Sequence, residues 1–296
     1  MSEFTWAHLG RATAHAAMTF LSHCDAVIID LRKNWGGRRE VIEIILSYFF
    51  DKPVHYITET NRIKNHTVEH WTLEHVPGKR LADVPVYVLT GHETYSGGEM
   101  MAFALQNLGR ATLIGDTTGG AAHGTHLSHV PNLRLEVYIP HEIHVDPATG
   151  KDWEGVGVIP DVAVPFGQAL AAAHAHALKE TLQKEDDEDR RYEREWFLRP
   201  LKAAIHSVEL ADDELQAYVG RFGKRRISIE NGALVYQREG SKAHRLVPMG
   251  NDWFKPVSDE LYYFQIQFER AASGDITRLI GWYDNGKSDS SDRTDD

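Results

Sequence analysis

Ser96 and the two glycines that follow it are well suited to nucleophilic chemistry. An apolar run at 84–90 precedes the segment 94–99 (Thr-Tyr-Ser-Gly-Gly-Glu), and apolar residues at helical spacing follow over 100–108. This pattern predicts a strand, a sharp turn and a helix, and the glycines permit the tight bend. A hydroxyl at a helix N-terminus lies near free N–H groups and the positive end of the helix dipole, which stabilise an oxyanion. Alternatively, Ser96 or Thr94 only caps the helix, as both residue types commonly do.

Three further strand-and-turn units accompany this one. An apolar run at 25–32 opens into the turn Lys-Asn-Trp-Gly-Gly at 33–37, a second unit at 111–120 ends in Gly-Gly, and Trp-Glu-Gly-Val-Gly begins at 153. In this order, over roughly 25–164, the motifs resemble serine peptidases that include the C-terminal processing proteases, the tricorn protease core and the interphotoreceptor retinoid-binding protein repeats. The resemblance is closest to the tricorn-like and retinoid-binding-like branch, which lacks the catalytic lysine.

The resemblance implies a fold and a set of site residues. The expected fold class is α/β, a crotonase-like spiral of ββα units followed by a small β-rich C-terminal domain. Ser96 corresponds to the family's nucleophile, and Gly97 to one backbone N–H donor of its oxyanion hole. Gly37 corresponds to the loop that supplies the second donor, with Gly36 as the alternative if the turn is shifted by one residue.

The general base is the least determined part of the site. Processing proteases carry a lysine 25 positions after the serine, and Ala121 stands there in this chain. Alanine cannot accept a proton, so another group must activate Ser96 if the chain is an enzyme. His123 is the nearest candidate because imidazole titrates near neutral pH, although it could equally be a polar loop residue.

Glu154 corresponds to a glutamate that completes a Ser/His/Ser/Glu tetrad in tricorn-type members. The histidine of that tetrad comes from an N-terminal segment ahead of the first strand. His8, His15 and His23 are present in this region, but none of them matches a family motif. Glu93 and Glu99 are interpreted as charged helix ends, since acids are favoured in a first helical turn.

The function predicted from these residues is hydrolysis of peptide bonds through Ser96, as a serine-type, tail-specific protease. The expected substrates are peptides or unfolded protein segments, with C-terminal segments among them. The alternative is a non-catalytic binding module of the same fold that carries an apolar ligand or a peptide, as the retinoid-binding relatives do. A base within hydrogen-bond reach of Ser96 Oγ distinguishes the two.

Composition excludes several other classes of function. The formal charge of −11 disfavours a nucleic-acid partner, and no apolar run approaches the roughly 18 residues of a membrane span. No cofactor or metal is expected, because the chain lacks a phosphate-binding Gly-Lys-Ser/Thr loop, a His-Glu-x-x-His helix and cysteine pairs. The start of the chain does not read as a signal peptide, which predicts a cytoplasmic protein as given, or an exported one if an upstream segment is missing. The oligomeric state is left open.

The pattern divides the chain into five segments. We expect an N-terminal helix at 1–24, a peptidase core at 25–166, a helical connector at 167–208, a β-rich domain at 209–287 and a disordered polar tail at 288–296. Within the core, hairpins are expected over 54–73 and over 133–145, the latter bending at His141-Glu142. Asn231-Gly232, between two short apolar runs, is a strong hairpin signal in the C-terminal half.

Overall fold

The computed structural model describes residues 2–258, 260 and 263–294. It divides the chain into two compact units, Met1–Ala177 and Leu178–Asp296. The predicted N-terminal helix belongs to the first unit, and the segment predicted as a connector contributes to both.

A four-stranded parallel sheet lies in the first unit, with strand order β1-β4-β5-β8. Its strands are β1 (Val27–Asp30), β4 (Val86–Thr90), β5 (Thr112–Gly115) and β8 (Val162–Ala163). All five residues of β4 are buried, as expected for an inner strand covered on both faces. The helices are α1 (Ala7–Phe20), α2 (Arg39–Ser47), α3 (Gly97–Asn107) and α4 (Ala169–Gln183), the last crossing the unit boundary. Two short 3₁₀ helices cover Leu21–His23 and Pro131–Leu133.

The buried face of α1 does not include all of the large apolar residues of this helix. Gly10, Ala14 and Met18 are its buried residues, whereas Leu9 and Phe20 are 62% and 87% exposed. A Cβ on Gly10 would lie 3.1 Å from Val41 in α2. The close approach of the two helices therefore selects a glycine at this contact, and Leu9 and Phe20 face outward.

A second, antiparallel sheet in the same unit has strand order β3-β2-β7-β6. Its strands are β2 (His55–Asn61), β3 (His66–Trp71), β6 (Gly124–Val130) and β7 (Leu135–Val145). The hairpin expected over 54–73 is present. The one expected over 133–145 was placed wrongly, because His141 and Glu142 lie inside β7 and the turn falls at 131–134, where Arg134 has a left-handed conformation.

The second unit contains a closed barrel of eight antiparallel strands. They are β9 (Gly220–Phe222), β10 (Arg225–Glu230), β11 (Ala233–Arg238), β12 (Ala243–Gly250), β13 (Trp253–Pro256), β14 (Phe264–Arg270), β15 (Ile276–Tyr283) and β16 (Ser288–Thr294). Two helices accompany them, α5 (Glu188–Ile205) and α6 (Asp212–Tyr218). Aromatic rings fill the barrel core, with Phe268 packing against Tyr218, Phe222 and Phe254 at centroid distances of 5.0, 5.6 and 5.4 Å.

The prediction of a disordered tail at 288–296 is wrong for most of that segment. Ser288–Thr294 form β16, which pairs with β15 on one side and with β9 on the other and so closes the barrel. The segment is polar, and its backbone ladder rather than apolar burial holds it in place. Residues 295 and 296 lie outside the described residues. The α/β class with a β-rich C-terminal domain is confirmed, while the crotonase-like spiral stays a prediction. In the described ranges, no helix is both long and apolar enough to span a membrane.

A polar network links three elements of the barrel unit. The Tyr218 hydroxyl donates to Asp252 Oδ1 at 2.5 Å, and Arg270 donates to both oxygens of the same carboxylate, from Nη2 at 2.7 Å and from Nε at 3.0 Å. Burial alone would raise the pKa of Asp252, but the hydrogen bonds from Arg270 and Tyr218 hold it below its usual value. Burial, together with Asp252, raises the pKa of Tyr218 to about 12.

This network predicts an acid-dependent stability. A carboxyl whose folded pKa is depressed stabilises the native state fully above its unfolded pKa of about 3.9, and this stability is lost as pH falls through the folded value. As pH falls from about 6 to about 2.5, the melting temperature of the unsubstituted protein should decrease. We expect this decrease to be smaller in Asp252→Asn. Asparagine tolerates the positive φ of 61° at this position. If the melting temperature of Asp252→Asn falls with pH as much as that of the unsubstituted protein, the network does not set the stability of the barrel at low pH.

Candidate active site

Ser96 stands at the turn between β4 and α3 in an unusual backbone conformation. Its φ and ψ are 49° and −117°, a region that non-glycine residues seldom occupy and that costs about 1–3 kcal/mol. The residue is exposed, whereas Thr94, two positions earlier, is fully buried. The Thr94 hydroxyl donates to the carbonyl of Leu31 at 2.7 Å and accepts from Gly91 N–H at 3.0 Å. Thr94 thus has a structural role. Ser96 is the residue that combines a strained backbone with an exposed position.

Two unpaired backbone N–H groups lie next to this serine. Gly97 N–H is in the first turn of α3, and a Cβ placed on Gly97 would lie 3.0 Å from Gly37 N. Among the described residues, neither Gly97 N–H nor Gly37 N–H has a hydrogen-bond acceptor. Gly36 N–H, in contrast, donates to the buried Asn34 side chain at 2.8 Å. The geometry therefore favours Gly37 over Gly36 as the partner of Gly97 in holding an oxyanion.

The turn at Gly36 and Gly37 has no room for side chains. A Cβ on Gly36 would lie 2.7 Å from Gly97 N and 2.8 Å from Ser96 Cβ, covering the N–H donor and crowding the hydroxyl. A Cβ on Gly37 would overlap the backbone of Phe4, which pairs with Gly37 as an isolated parallel bridge. Both glycines have positive φ, 99° and 123°. The turn is crowded by Ser96 and Gly97 on one side and by Phe4 on the other. The lack of space for a Cβ therefore explains why both positions are glycine.

Glu99 links the serine turn to the glycine-rich loop at 118–121. Its side chain is fully buried and accepts four hydrogen bonds. Oε2 accepts from Ser96 N–H at 2.9 Å and from Ala121 N–H at 2.8 Å. Oε1 accepts from Gly120 N–H at 2.6 Å and from the Thr118 hydroxyl at 2.5 Å. The sequence interpretation of Glu99 as a charged helix end missed this role.

The shared oxygen of Glu99 brings Ala121, the position predicted to correspond to the lysine of the processing proteases, close to the backbone of Ser96. His123 lies two residues further on, and its ring is held by carboxylates. His123 Nε2 is 3.0 Å from Asp152 Oδ2, and Nδ1 is 3.8 Å from Glu154 Oε2. Among the described residues, no side chain forms a hydrogen bond with Ser96 Oγ. The structure thus brings His123 and Glu154 together but does not bond either to the Ser96 hydroxyl.

Glu154 holds the loop that carries His123. Its Oε2 accepts the N–H groups of Ala122 and His123 at 2.7 and 3.0 Å. Asp152 was missed by sequence analysis. The alternation of Asp152 and Glu154 about the buried Trp153 was a signal that both carboxylates face the same side. Glu99 and Glu154 together anchor consecutive N–H groups from Gly120 to His123.

Comparison with known proteins identifies the family. Residues 1–164 match the profile of Peptidase family S41, and the chain belongs to this family. It is similar to a carboxyl-terminal-processing protease of Picosynechococcus sp., with 29% identity over 150 residues, which are 48% of this chain and 32% of that protein. It is also similar to the carboxy-terminal processing protease CtpB of Bacillus subtilis, with 32% identity over 119 residues, which are 38% of this chain and 23% of that protein. The chain therefore spans a third or less of the length of these relatives.

Solved structures give weaker likenesses. The photosystem II D1 C-terminal processing protease aligns with a TM-score of 0.45 and 21% identity, covering 55% of this chain and 41% of that one. Mature CPAF aligns with a TM-score of 0.45 and 16% identity, covering 52% and 42%. The family membership predicted from the sequence motifs is confirmed by the profile match.

We expect Glu99→Gln to loosen both segments that the carboxylate joins. A glutamine offers one oxygen where Glu99 offers two, and its NH₂ group would face N–H donors. Hydrogen bonds to a charged group contribute about 1.5–3 kcal/mol each, so the free energy of unfolding should fall by about 2–4 kcal/mol. Hydrogen exchange at the Gly120 and Ala121 amides should accelerate. Urea unfolding and exchange mass spectrometry measure the two effects.

Glu93→Gln is the matched control, since Glu93 is an exposed glutamate three residues before Ser96. It should leave both measurements near those of the unsubstituted protein. Equal behaviour of the two variants would mean that Glu99 does not hold the loop.

Proposed function

We propose that this chain is a serine peptidase in which Ser96 is the nucleophile. The observation that carries the proposal is the exposed Ser96 hydroxyl on a strained turn, next to the unpaired N–H groups of Gly97 and Gly37. An oxyanion needs donors that are in place before charge develops. The fixed glycine turn and the helix N-terminus meet this requirement without a charged side chain.

The proposed chemistry is acyl transfer. Ser96 Oγ attacks the scissile carbonyl carbon while its proton passes to a base, and the carbonyl oxygen becomes an oxyanion held by Gly97 N–H and Gly37 N–H. Collapse of the tetrahedral species breaks the C–N bond, and the protonated base gives its proton to the leaving amine. Water then hydrolyses the acyl-enzyme through the same donors, with its proton taken by the base.

His123 is the base we propose, with Asp152 as its partner. The Asp152 carboxylate stabilises the imidazolium that forms when the ring takes the proton, as in serine triads. Catalytic hydrogen bonds are commonly long before substrate binds, and the loop carrying His123 is joined to Ser96 through Glu99. Glu154 positions that loop by accepting from two of its N–H groups.

The substrates we propose are peptides or unfolded segments, including C-terminal ones. The support is family membership and the similarity to two carboxyl-terminal processing proteases. The non-catalytic binding module is the alternative that a missing base would favour.

Labelling with a fluorophosphonate probe tests the nucleophile. The unsubstituted protein should become covalently labelled near neutral pH, and Ser96→Ala should abolish the signal, because only an activated serine hydroxyl reacts with the phosphorus centre. Ser128→Ala, a half-buried serine of β6, is the matched control and should label normally. Absent labelling of the unsubstituted protein, or labelling that survives in Ser96→Ala, contradicts the proposal.

The pH dependence of the same labelling tests the base. An imidazole accepts a proton only when it is neutral, so the labelling rate should rise with pH. His123→Ala should lose this rise and about 100-fold or more in rate. His126→Ala, an exposed histidine of the same strand region, should keep both. If His123→Ala retains the pH-dependent rise, His123 is a loop residue and another group is the base.

A further inference from the structure

A cluster of one buried histidine and two half-buried glutamate side chains lies on the antiparallel sheet. Glu59 in β2 pairs directly across the sheet with His144 in β7, and Glu142 lies two residues from His144 on the same face. One ligand atom from each of these three residues lies within 4.8 Å of the other two. The sequence predicted no metal, and spacing along the chain gave no signal because the residues come from two strands far apart in sequence.

The hydrogen bonds of His144 fix which ring nitrogen faces the cluster. His144 is buried, and Nδ1 lies 2.7 Å from the carbonyl oxygen of Ala122. A carbonyl only accepts, so Nδ1 carries the hydrogen of this bond, and Nε2 is the nitrogen left to bind a metal. Nε2 points towards Glu59 Oε2 at 3.8 Å, which is beyond hydrogen-bond distance. The ring is thus held by a carbonyl at one nitrogen and presents the other nitrogen to a carboxylate, an arrangement typical of histidines oriented for a metal.

Neighbouring side chains that are not part of the cluster also orient the carboxylates of Glu59 and Glu142. Arg39 donates to His70 Nδ1 at 2.8 Å, so His70 Nε2 carries a hydrogen and donates to Glu59 Oε2 at 3.0 Å. Glu142 Oε1 accepts from the Asn61 side chain at 3.0 Å and lies 3.3 Å from His141 Nε2. No donor among the described residues bonds to Glu142 Oε2.

Glu142 Oε2 lies against Gly124, where any Cβ would overlap it. The glycine on β6 therefore leaves the space that this carboxylate oxygen occupies. The position is not one that needs positive φ, so close approach rather than backbone conformation accounts for glycine here.

The local charge balance favours a cation. Three carboxylates lie in this region, those of Glu43, Glu59 and Glu142, and Arg39 is near the first two at 3.7 and 4.0 Å. Neighbouring carboxylates that are partly removed from water repel one another, and one guanidinium does not balance the charge of three carboxylates. One imidazole nitrogen with two carboxylate oxygens suits zinc-class transition metals rather than magnesium or calcium, which prefer oxygen ligands alone.

We propose that Glu59, Glu142 and His144 bind one divalent zinc-class cation, with water completing the coordination. Ligand atoms each about 2.1 Å from one zinc are at most about 4.2 Å apart, so the cluster closes around an ion with a small movement of the side chains. Because His144 also bonds to Ala122, the ion would steady the loop between Gly120 and His123. This role is positional, and binding of the ion is independent of whether Ser96 is catalytic.

Zinc titration of the full chain, stripped with EDTA and free of any purification tag, tests the site. Competition with a chromophoric chelator near pH 7.5 should give one tight ion per chain for ZnCl₂ and none for MgCl₂. Glu59→Gln and His144→Gln should each weaken binding at least about 10-fold, since even loss of an outer partner costs that much. Glutamine at 144 can still donate to Ala122, which favours retention of the fold.

His129→Gln is the matched control, because His129 and Glu136 form an exposed pair at 3.4 Å on the same hairpin. It should bind zinc like the unsubstituted protein. The metal-free Glu59→Gln protein should unfold at an equal or higher temperature than the metal-free unsubstituted protein, and only the latter should gain stability with zinc. Absence of a tightly bound ion in the unsubstituted protein overturns the proposal. If Glu59→Gln and His144→Gln bind zinc with the affinity of the unsubstituted protein, the ion is an adventitious ion only, and the proposal is also overturned.

Discussion

The buried carboxylate of Glu99 is the interaction on which the candidate site depends. A carboxylate without exposure is costly unless hydrogen bonds replace its water, and Glu99 accepts from three backbone N–H groups and one hydroxyl. Those donors belong to two segments, the Ser96 turn and the loop after β5, which Gly119 N–H also joins by donating to the Thr94 carbonyl at 3.0 Å. The need to satisfy one buried charge therefore fixes the spatial relation between the serine and the segment that carries its candidate base.

The glycine turn works by a different constraint, which is steric. Gly36 and Gly37 pass between the Ser96 turn and the backbone of Phe4, with no space for a Cβ on either side. The buried Asn34 side chain binds Gly36 N–H and leaves Gly37 N–H unpaired. Close packing thus places two unpaired N–H groups near each other, and Ser96, with its positive φ, precedes one of them directly in the chain.

The loop from Gly120 to His123 contacts several of the side chains on which the proposed mechanism depends. Glu99 and Glu154 hold its N–H groups, and His144 donates to its Ala122 carbonyl. Ala121, the position predicted to correspond to the lysine of the processing proteases, lies in this loop, so in the proposed function the proton passes to a different side chain. Because carboxylates anchor the loop on both sides, a small change in either would move His123 relative to Ser96. The proposed cation at His144 would act on the same loop from the antiparallel sheet.

The sequence by itself determined the features that depend on local backbone chemistry. The strand, turn and helix around Ser96, the hairpin at 54–73 and the Asn231-Gly232 turn follow from periodicity and from glycine conformations, and Asn231 and Gly232 do have positive φ. The family motifs were also readable, because they consist of residues close together in the chain. The α/β class and the β-rich second half were predicted for the same reason.

Only the tertiary structure decided what depends on partners distant in sequence. Glu99 reads as a helix-end charge until its donors at 118–121 are present, and Asp152 gains its role only beside His123. Polar β16 has no apolar signal, since its two neighbouring strands supply its hydrogen bonds. Glu59 and His144 lie far apart in the chain and become neighbours through sheet register. Hydrogen bonds and charge pairs act over a few ångströms of space, so sequence distance carries no information about them.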